Sequence, residues 1–111
     1  MTLEISPSDL KSKLDLGAES KIALVDCREA WEHSTASIPS AELIPMNSIP
    51  QRLQHIEDLA DVATVVVYCH HGVRSLMVIN WLREQGVMEC LSLAGGIDRW
   101  SIEIDSTVPR Y

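Results

Sequence analysis

A strand-like run that ends in a cysteine loop constrains this chain more than any other feature. Thr64-Val65-Val66-Val67-Tyr68 is the most β-branched run of the sequence and is typical of a buried strand. Cys69 follows it at once, and the amphipathic stretch 75–85 predicts a helix that begins within seven residues of the cysteine. The pattern therefore places a thiol between the end of a strand and the start of a helix.

That position predicts a reactive cysteine. A thiol at a helix N-terminus faces unpaired backbone N–H groups and the positive end of the helix macrodipole, and both favour the thiolate. A short loop that contains Gly72 can also turn its amides towards a bound anion. We therefore predict that Cys69 is a nucleophile; the alternative is an inert, buried thiol.

The residues after the cysteine carry separate expectations. Arg74 is a fixed cation that can grip a substrate oxygen or brace the loop through a carboxylate, and the pattern favours direct substrate contact. His70 and His71 are adjacent, so we expect their side chains to diverge and their backbone N–H groups to matter more than their imidazoles. Gly72 is expected where a side chain would crowd the bound anion. A Cys-His-His metal site is disfavoured because no matching Cys or His pair occurs elsewhere.

Strand and helix signals alternate along the whole chain. Strands are predicted at 3–5, 22–25, 41–44, 64–68 and 91–93, and helices at 7–16, 29–33, 50–59 and 75–85, followed by a last turn near Trp100 and a loosely held tail at 108–111. Ser6 and Pro7 have the residue types of an N-cap and a first helical position. The alternation predicts an α/β fold with a central, mostly parallel sheet of about five strands and ligand binding beyond the carboxyl ends of the strands.

Four segments resemble the rhodanese sulfurtransferase family, and together they extend over nearly the whole chain. They are the loop Cys69-His70-His71-Gly72-Val73-Arg74-Ser75, the strand and turn Leu24-Val25-Asp26-Cys27-Arg28-Glu29-Ala30-Trp31-Glu32, the segment Ser37-Ile38-Pro39-Ser40-Ala41, and the turn Leu93-Ala94-Gly95-Gly96-Ile97-Asp98-Arg99-Trp100. The loop has the Cys-x-x-Gly-x-Arg-Ser form of small single-domain members. Ser37 and Ser40 replace the family's usual His and Gly, and Cys27 stands where Val is frequent. We expect a less rigid turn at 35–41 and an unaffected cysteine loop.

The resemblance implies a rhodanese-like fold, with helices on both faces of the sheet, and a sulfurtransferase activity. Sulfane sulfur would move from a donor such as thiosulfate to cyanide or a thiol through a persulfide on Cys69, without a cofactor. The loop residues that would surround the substrate are His70, His71, Gly72, Val73, Arg74 and Ser75. Thioredoxin, another protein persulfide carrier or glutathione persulfide would fit the same loop as partners.

Two other classes of function remain open from the sequence. A cysteine phosphatase or arsenate reductase also uses a nucleophilic cysteine and inward amides, but it places five residues between Cys and Arg, whereas four separate Cys69 from Arg74. A shorter loop suits a single sulfur atom better than a phosphate ester. A non-catalytic rhodanese-like module that binds a partner is the third possibility, although such modules often lack the cysteine.

The length and net charge of the chain limit the number of domains and the classes of partner that we expect. The 111 residues, 46% of them hydrophobic, predict one domain over 1–111 with no room for a second. No apolar run approaches the ~20 residues of a membrane span, and residues 1–4 lack the features of a secretory signal, so we expect a cytoplasmic protein. A net charge of −7, from 16 acidic and 9 basic residues, disfavours nucleic acid and anionic membranes as partners.

The remaining residues with chemical potential are assigned structural roles. Three cysteines without a Cys-x-x-Cys pair argue against a disulfide framework, and Cys27 and Cys90 are predicted to be buried apolar groups, neither of them a good resolving thiol. Asp26 and Arg28 are expected to tie the end of a strand to a neighbouring turn. The three tryptophans, Trp31, Trp81 and Trp100, are expected to pack in the core or at its rim, and His33 and His55 to lie at the surface.

Overall fold

The computed structural model describes residues 2–111 and shows an α/β fold built on one five-stranded sheet. The strands are β1 (Glu4–Ile5), β2 (Ile22–Asp26), β3 (Glu42–Leu43), β4 (Thr64–Tyr68) and β5 (Cys90–Leu93). Their order across the sheet is β1-β5-β4-β2-β3, and every neighbouring pair is parallel. The predicted fold class and all five strands are confirmed.

In the part of the chain that the structure describes, four helices connect successive strands and a fifth follows the last strand. They are α1 (Pro7–Leu14), α2 (Ala30–Thr35), α3 (Leu53–Val62), α4 (Val73–Glu84) and α5 (Gly96–Glu103), with 3₁₀ turns at Gly17–Ser20, Met46–Ser48 and Pro50–Arg52. The hydroxyl of Ser6 accepts a hydrogen bond from the backbone N–H of Asp9 at 3.1 Å, so the predicted N-cap of α1 is confirmed. None of the helices within residues 2–111 has the length and apolar character needed to cross a bilayer.

Two apolar cores lie on opposite faces of the sheet. Val65 and Val67 of β4 face the core formed with α3 and α4, and Val66 and Tyr68 face the core formed with α1 and α5. Successive residues of a strand point to opposite faces, so a strand that is apolar throughout requires cover on both sides. The expectation of helices on both faces is therefore confirmed.

Helix boundaries differ from the sequence prediction by one to three residues, most clearly at α3 and α5. The helix predicted to begin at Pro50 starts as a 3₁₀ turn, and α3 itself begins at Leu53. The last turn, predicted to end near Trp100, continues as α5 to Glu103. Beyond Trp100, Ser101 is buried and its hydroxyl donates to the Val108 carbonyl, and such tertiary contacts are not encoded by the local sequence.

The prediction of a loosely held tail at 108–111 was wrong. Val108 is 6% exposed, and its carbonyl accepts a hydrogen bond from the hydroxyl of Ser101 at 2.6 Å. Arg110 pairs with Asp98 at 2.9 Å. Tyr111 reaches the carboxyl edge of the sheet, where the site described next lies.

Candidate active site

The sulfur of Cys69 is surrounded by hydrogen-bond donors at the start of α4. The backbone N–H of Gly72 donates to Sγ at 3.1 Å and that of Ser75 at 3.4 Å. The Ser75 hydroxyl lies 3.4 Å from the same sulfur. Cys69 is only 1% exposed. Backbone donors thus converge on the sulfur of Cys69, and its role as a nucleophile stays a prediction.

The amides of the cysteine loop, residues 69–75, face inward because another helix holds the loop's carbonyls outward. At the start of α5, the N–H of Ile97 donates to the carbonyl of Cys69 at 2.9 Å, and the N–H of Asp98 donates to that of His70 at 3.1 Å. Gly96, with φ of +63°, lets the two segments approach, because a Cβ there would lie 2.4 Å from the His70 carbonyl oxygen. The sequence showed the Gly95-Gly96 turn but not this contact.

Gly72 has a backbone conformation and a close neighbour that disfavour a side chain at this position. The neighbouring group, however, differs from the one that the sequence predicted. The φ of Gly72 is +103°, and a Cβ would lie 3.2 Å from the backbone nitrogen of Gly95. The side chain excluded here would therefore meet the α5 turn, whereas the sequence suggested a clash with a bound anion. The glycine turns at residues 72 and 95–96 therefore pack closely against each other beside the cysteine loop.

Arg74 is held by a carboxylate of α2. Its two terminal nitrogens donate to Glu32 at 2.7 and 2.9 Å, a bidentate pair in which the carboxylate is nearly buried. Hydrogen bonds from Arg74, with others from Tyr111 and the Glu29 backbone, lower the pKa of Glu32 to about 2. The same pair raises the pKa of Arg74. Arg74 thus braces the cysteine loop against α2, and contact with a substrate stays a prediction.

Tyr111 joins that ion pair to a second one. Its hydroxyl accepts a hydrogen bond from Arg28 at 2.8 Å and donates one to Glu32 at 2.5 Å. Arg28, fully buried, also pairs with Asp26 at 2.6 Å and donates to the Ala36 carbonyl at 2.6 Å. Burial and the bond to Glu32 raise the pKa of Tyr111 to about 12. The expected tie between the strand end and a neighbouring turn is present.

The imidazoles of the loop stack, whereas the sequence predicted that they diverge. The rings of His70 and His71 are 3.9 Å apart, and the ring of Tyr111 lies 4.0 Å from the other face of His70. Nε2 of His70 is buried and has no hydrogen-bond partner among the described residues. Burial, and then the neighbouring His71, lower the pKa of His70, which favours a neutral ring. The tail residue Tyr111, not anticipated near the loop, supplies the surface on which the rings stack.

A buried serine of β5 supports the loop from below. The Ser92 hydroxyl is 2.7 Å from that of Ser75, which also lies 3.3 Å from the Gly72 carbonyl. Ser92 is fully buried. Its only sequence signal is a polar residue inside the apolar run Cys90–Leu93.

The other candidate residues lie away from the loop or serve the scaffold. Cys27 and Cys90 are each 1% exposed, as predicted. Trp100 is in the core, whereas Trp31 is 63% exposed and meets Tyr111 edge to face. Within residues 2–111, no three His, Cys, Asp or Glu side chains are grouped so as to hold a metal ion. His33, near the surface, contacts Asp26 at 2.8 Å.

The fold and the site define one class of protein. Its members have a parallel α/β sheet and hold a thiol in a loop lined by backbone amides, beyond the carboxyl ends of the strands. The family model for the rhodanese-like domain matches residues 6–103, so the chain belongs to that family. A sulfurtransferase from Allochromatium vinosum is 36% identical over 91% of this chain and 90% of its own length. A solved rhodanese-like domain protein from Staphylococcus aureus is 31% identical, with a TM-score of 0.77 and coverage of 100% of this chain and 99% of its own.

Longer proteins also contain a matching segment. A Mycobacterium tuberculosis protein named "Probable adenylyltransferase/sulfurtransferase MoeZ" is 32% identical over 96% of this chain, which spans only 26% of that protein. The chain spans 37% of another curated relative.

Proposed function

We propose that the protein is a sulfurtransferase that carries sulfane sulfur as a persulfide on Cys69. The thiolate attacks the outer sulfur of a donor such as thiosulfate; a sulfur–sulfur bond forms, the bond to the sulfonate sulfur breaks, and sulfite leaves with the electron pair. An acceptor thiolate or cyanide then attacks the outer sulfur and releases Cys69. The step needs no cofactor.

The observation that carries this proposal is the convergence of the Gly72 and Ser75 amides on Sγ of Cys69. Such donors stabilise the attacking thiolate, and after transfer they lie close enough to stabilise the anionic persulfide as well. The bracing of the loop by Glu32 and by the α5 turn supports the same role, because fixed donors require no reorganisation during the reaction.

A phosphatase or arsenate reductase activity is less well supported by the same geometry. Four residues separate Cys69 from Arg74, and the guanidinium of Arg74 is engaged in both of its hydrogen bonds with Glu32. A phosphate ester needs three of its oxygens bound, and a fork already paired with a carboxylate serves that purpose poorly. A purely partner-binding module would not require donors arranged around a thiol.

We infer a small anionic donor and a thiol or cyanide acceptor, with thioredoxin or another protein persulfide carrier as the kind of protein partner that the loop fits. Relatives named as sulfurtransferases support this reading. Cys69 is 1% exposed, which favours donors that present a single outer sulfur atom.

The test is sulfur uptake followed by intact-mass spectrometry. Incubation of the reduced protein with thiosulfate is expected to add one sulfur atom that dithiothreitol removes. Cys69→Ser should remain folded and take up none, whereas Cys90→Ala, a change to a buried thiol of β5 outside the loop, should load as the wild type does. Sulfur mapped to a peptide without Cys69, or no uptake from either thiosulfate or glutathione persulfide, would contradict the proposal.

A further inference from the structure

Cys27 and Cys69 end two neighbouring strands at the same level of the sheet. β2 and β4 pair in parallel through Asp26 opposite Tyr68, and the next residue along each strand is a cysteine. The ladder continues past that pair, because the N–H of Cys27 donates to the Tyr68 carbonyl at 3.1 Å. Neighbouring strands are about 4.8 Å apart. This spacing falls within the range of about 4.4–6.8 Å between Cα atoms that a disulfide requires.

The two thiols also share a face of the sheet. Val25 and Val67 are register partners and lie in the core beneath α3 and α4. Side chains repeat every second residue along a strand, so the cysteines two residues further on face the same side. Both belong to that core. The third thiol, Cys90, pairs with Val65, four residues before Cys69 and about 13 Å away along the strand direction.

We propose that Cys27 is the resolving thiol of Cys69 and that the two residues form a reversible disulfide when a hydroperoxide oxidises Cys69. The Cys69 thiolate attacks the peroxide, a sulfur–oxygen bond forms, the oxygen–oxygen bond breaks, and an alkoxide or hydroxide leaves with the electron pair and takes a proton from water. The sulfur of Cys27 then attacks the resulting sulfenic acid. A sulfur–sulfur bond replaces the sulfur–oxygen bond, and the hydroxyl departs as water with the proton of Cys27. This goes beyond sulfur transfer, but it rests on the proposed reactivity of Cys69.

The environment of Cys27 suits this role. Burial, with the charge of neighbouring Cys69 next, raises the pKa of Cys27 to about 12, so the thiol stays protonated and does not compete with Cys69 for oxidants. Oxidation of Cys69 to a neutral sulfenic acid removes that charge. Reaction within a preformed pair has an effective molarity of up to about 10⁵–10⁸ M, which offsets the small thiolate fraction. The disulfide would spare Cys69 from irreversible sulfinic acid.

Hydrogen peroxide treatment, alkylation of the remaining thiols and peptide mapping test the proposal. In the wild type we expect a peptide pair linked through Cys27 and Cys69, Cys90 alkylated, and thiosulfate loading restored by dithiothreitol. Cys90→Ala should behave identically. Cys27→Ala, or Cys27→Val if the alanine variant is unstable, should take up sulfur from thiosulfate before oxidation. After peroxide treatment, dithiothreitol should not restore most of that capacity, and Cys69 should be found as sulfinic acid.

The outcomes separate this inference from the proposed function. Two results would overturn the inference alone. One is normal sulfur loading before peroxide with an equal irreversible loss of loading capacity afterwards in the wild type and in Cys27→Ala. The other is a disulfide between Cys69 and Cys90. A Cys27–Cys69 disulfide without any sulfur loading would support the inference and contradict sulfur transfer. Failure of Cys69 to react with either reagent would overturn both.

Discussion

Gly96→Ala tests whether the α5 turn sets the geometry of the cysteine loop. A Cβ at residue 96 would lie 2.4 Å from the His70 carbonyl oxygen and 2.5 Å from that of Cys69. To restore van der Waals contact, these backbone oxygens would have to retreat by about 1 Å. That movement would break the hydrogen bonds from Ile97 and Asp98, each worth about 0.5–1.5 kcal/mol. The left-handed backbone adds about 1–2 kcal/mol for a residue with a side chain.

Together these effects predict that Gly96→Ala lowers the free energy of unfolding by about 2–5 kcal/mol. Sulfur transfer should fall by on the order of 10²-fold, because a displacement of about 1 Å misplaces the donors around Cys69. Gly17→Ala is the matched control: its φ is +65°, against +63° at Gly96, and nothing lies within 4 Å of the added Cβ.

Urea unfolding and steady-state sulfur transfer, measured on both variants, separate the backbone cost from the collision. Gly17→Ala should lose only about 1–2 kcal/mol and keep the wild-type rate of transfer. If Gly96→Ala lost no more stability than Gly17→Ala and transferred sulfur as fast as the wild type, the α5 turn would not position the loop.

Two further predictions concern the buried ion pairs. Tyr111→Phe keeps the stack on His70 but removes the hydroxyl that bridges Arg28 and Glu32. Urea unfolding should therefore show that the free energy of unfolding falls by about 1.5–3 kcal/mol. A fall below about 0.5 kcal/mol would mean that the hydroxyl does not link the two ion pairs. The pKa of Glu32 is about 2 in the folded state against a usual 4.5, so its contribution of about 3 kcal/mol is present above pH 4.5 and lost as the pH falls towards 2. Glu32→Gln should flatten that decline in denaturant titrations at several pH values, and an unchanged slope would exclude Glu32 as its source.

Signals local in sequence predicted the elements of the fold. The β-branched run of β4 and the N-cap of α1 each depend on a few consecutive residues, and each is found where it was expected. The cysteine loop was equally clear, because a strand, a glycine-containing turn and a helix follow one another directly. What local signals cannot give is the partner of a side chain across the sheet.

The contacts at the site that the sequence did not show follow from that limit. The stack of His70 on His71 depends on Tyr111, which is 41 positions away in the sequence. The carboxylate that holds Arg74 comes from α2, 42 positions earlier. Cys27 looked like a simple apolar substitution until the register of β2 and β4 placed it beside Cys69.

The turn with the two atypical serines shows how those long-range contacts compensate for local strain. Ser40 has φ of +74°, a conformation that costs a non-glycine residue about 1–2 kcal/mol. The segment is nevertheless fixed from the core side: the Ala36 carbonyl accepts from Arg28, and the N–H of Ile38, itself 2% exposed, donates to the Tyr68 hydroxyl at 3.2 Å. The turn is thus held by buried contacts rather than by its own sequence.

The buried charges are better explained by how they orient the segments that carry them than by a gain in folding free energy. An ion pair removed from water contributes little more to folding than an apolar pair of similar size, because desolvation offsets the attraction. Here, however, Arg28 extends from the end of β2, Glu32 belongs to α2, Tyr111 to the tail, and Arg74 to the start of α4, and one continuous set of hydrogen bonds joins them. Apolar replacements would pack but would not fix the direction of each segment. Because Arg74 lies in the cysteine loop, this network, together with the α5 turn, sets where the loop's amides point.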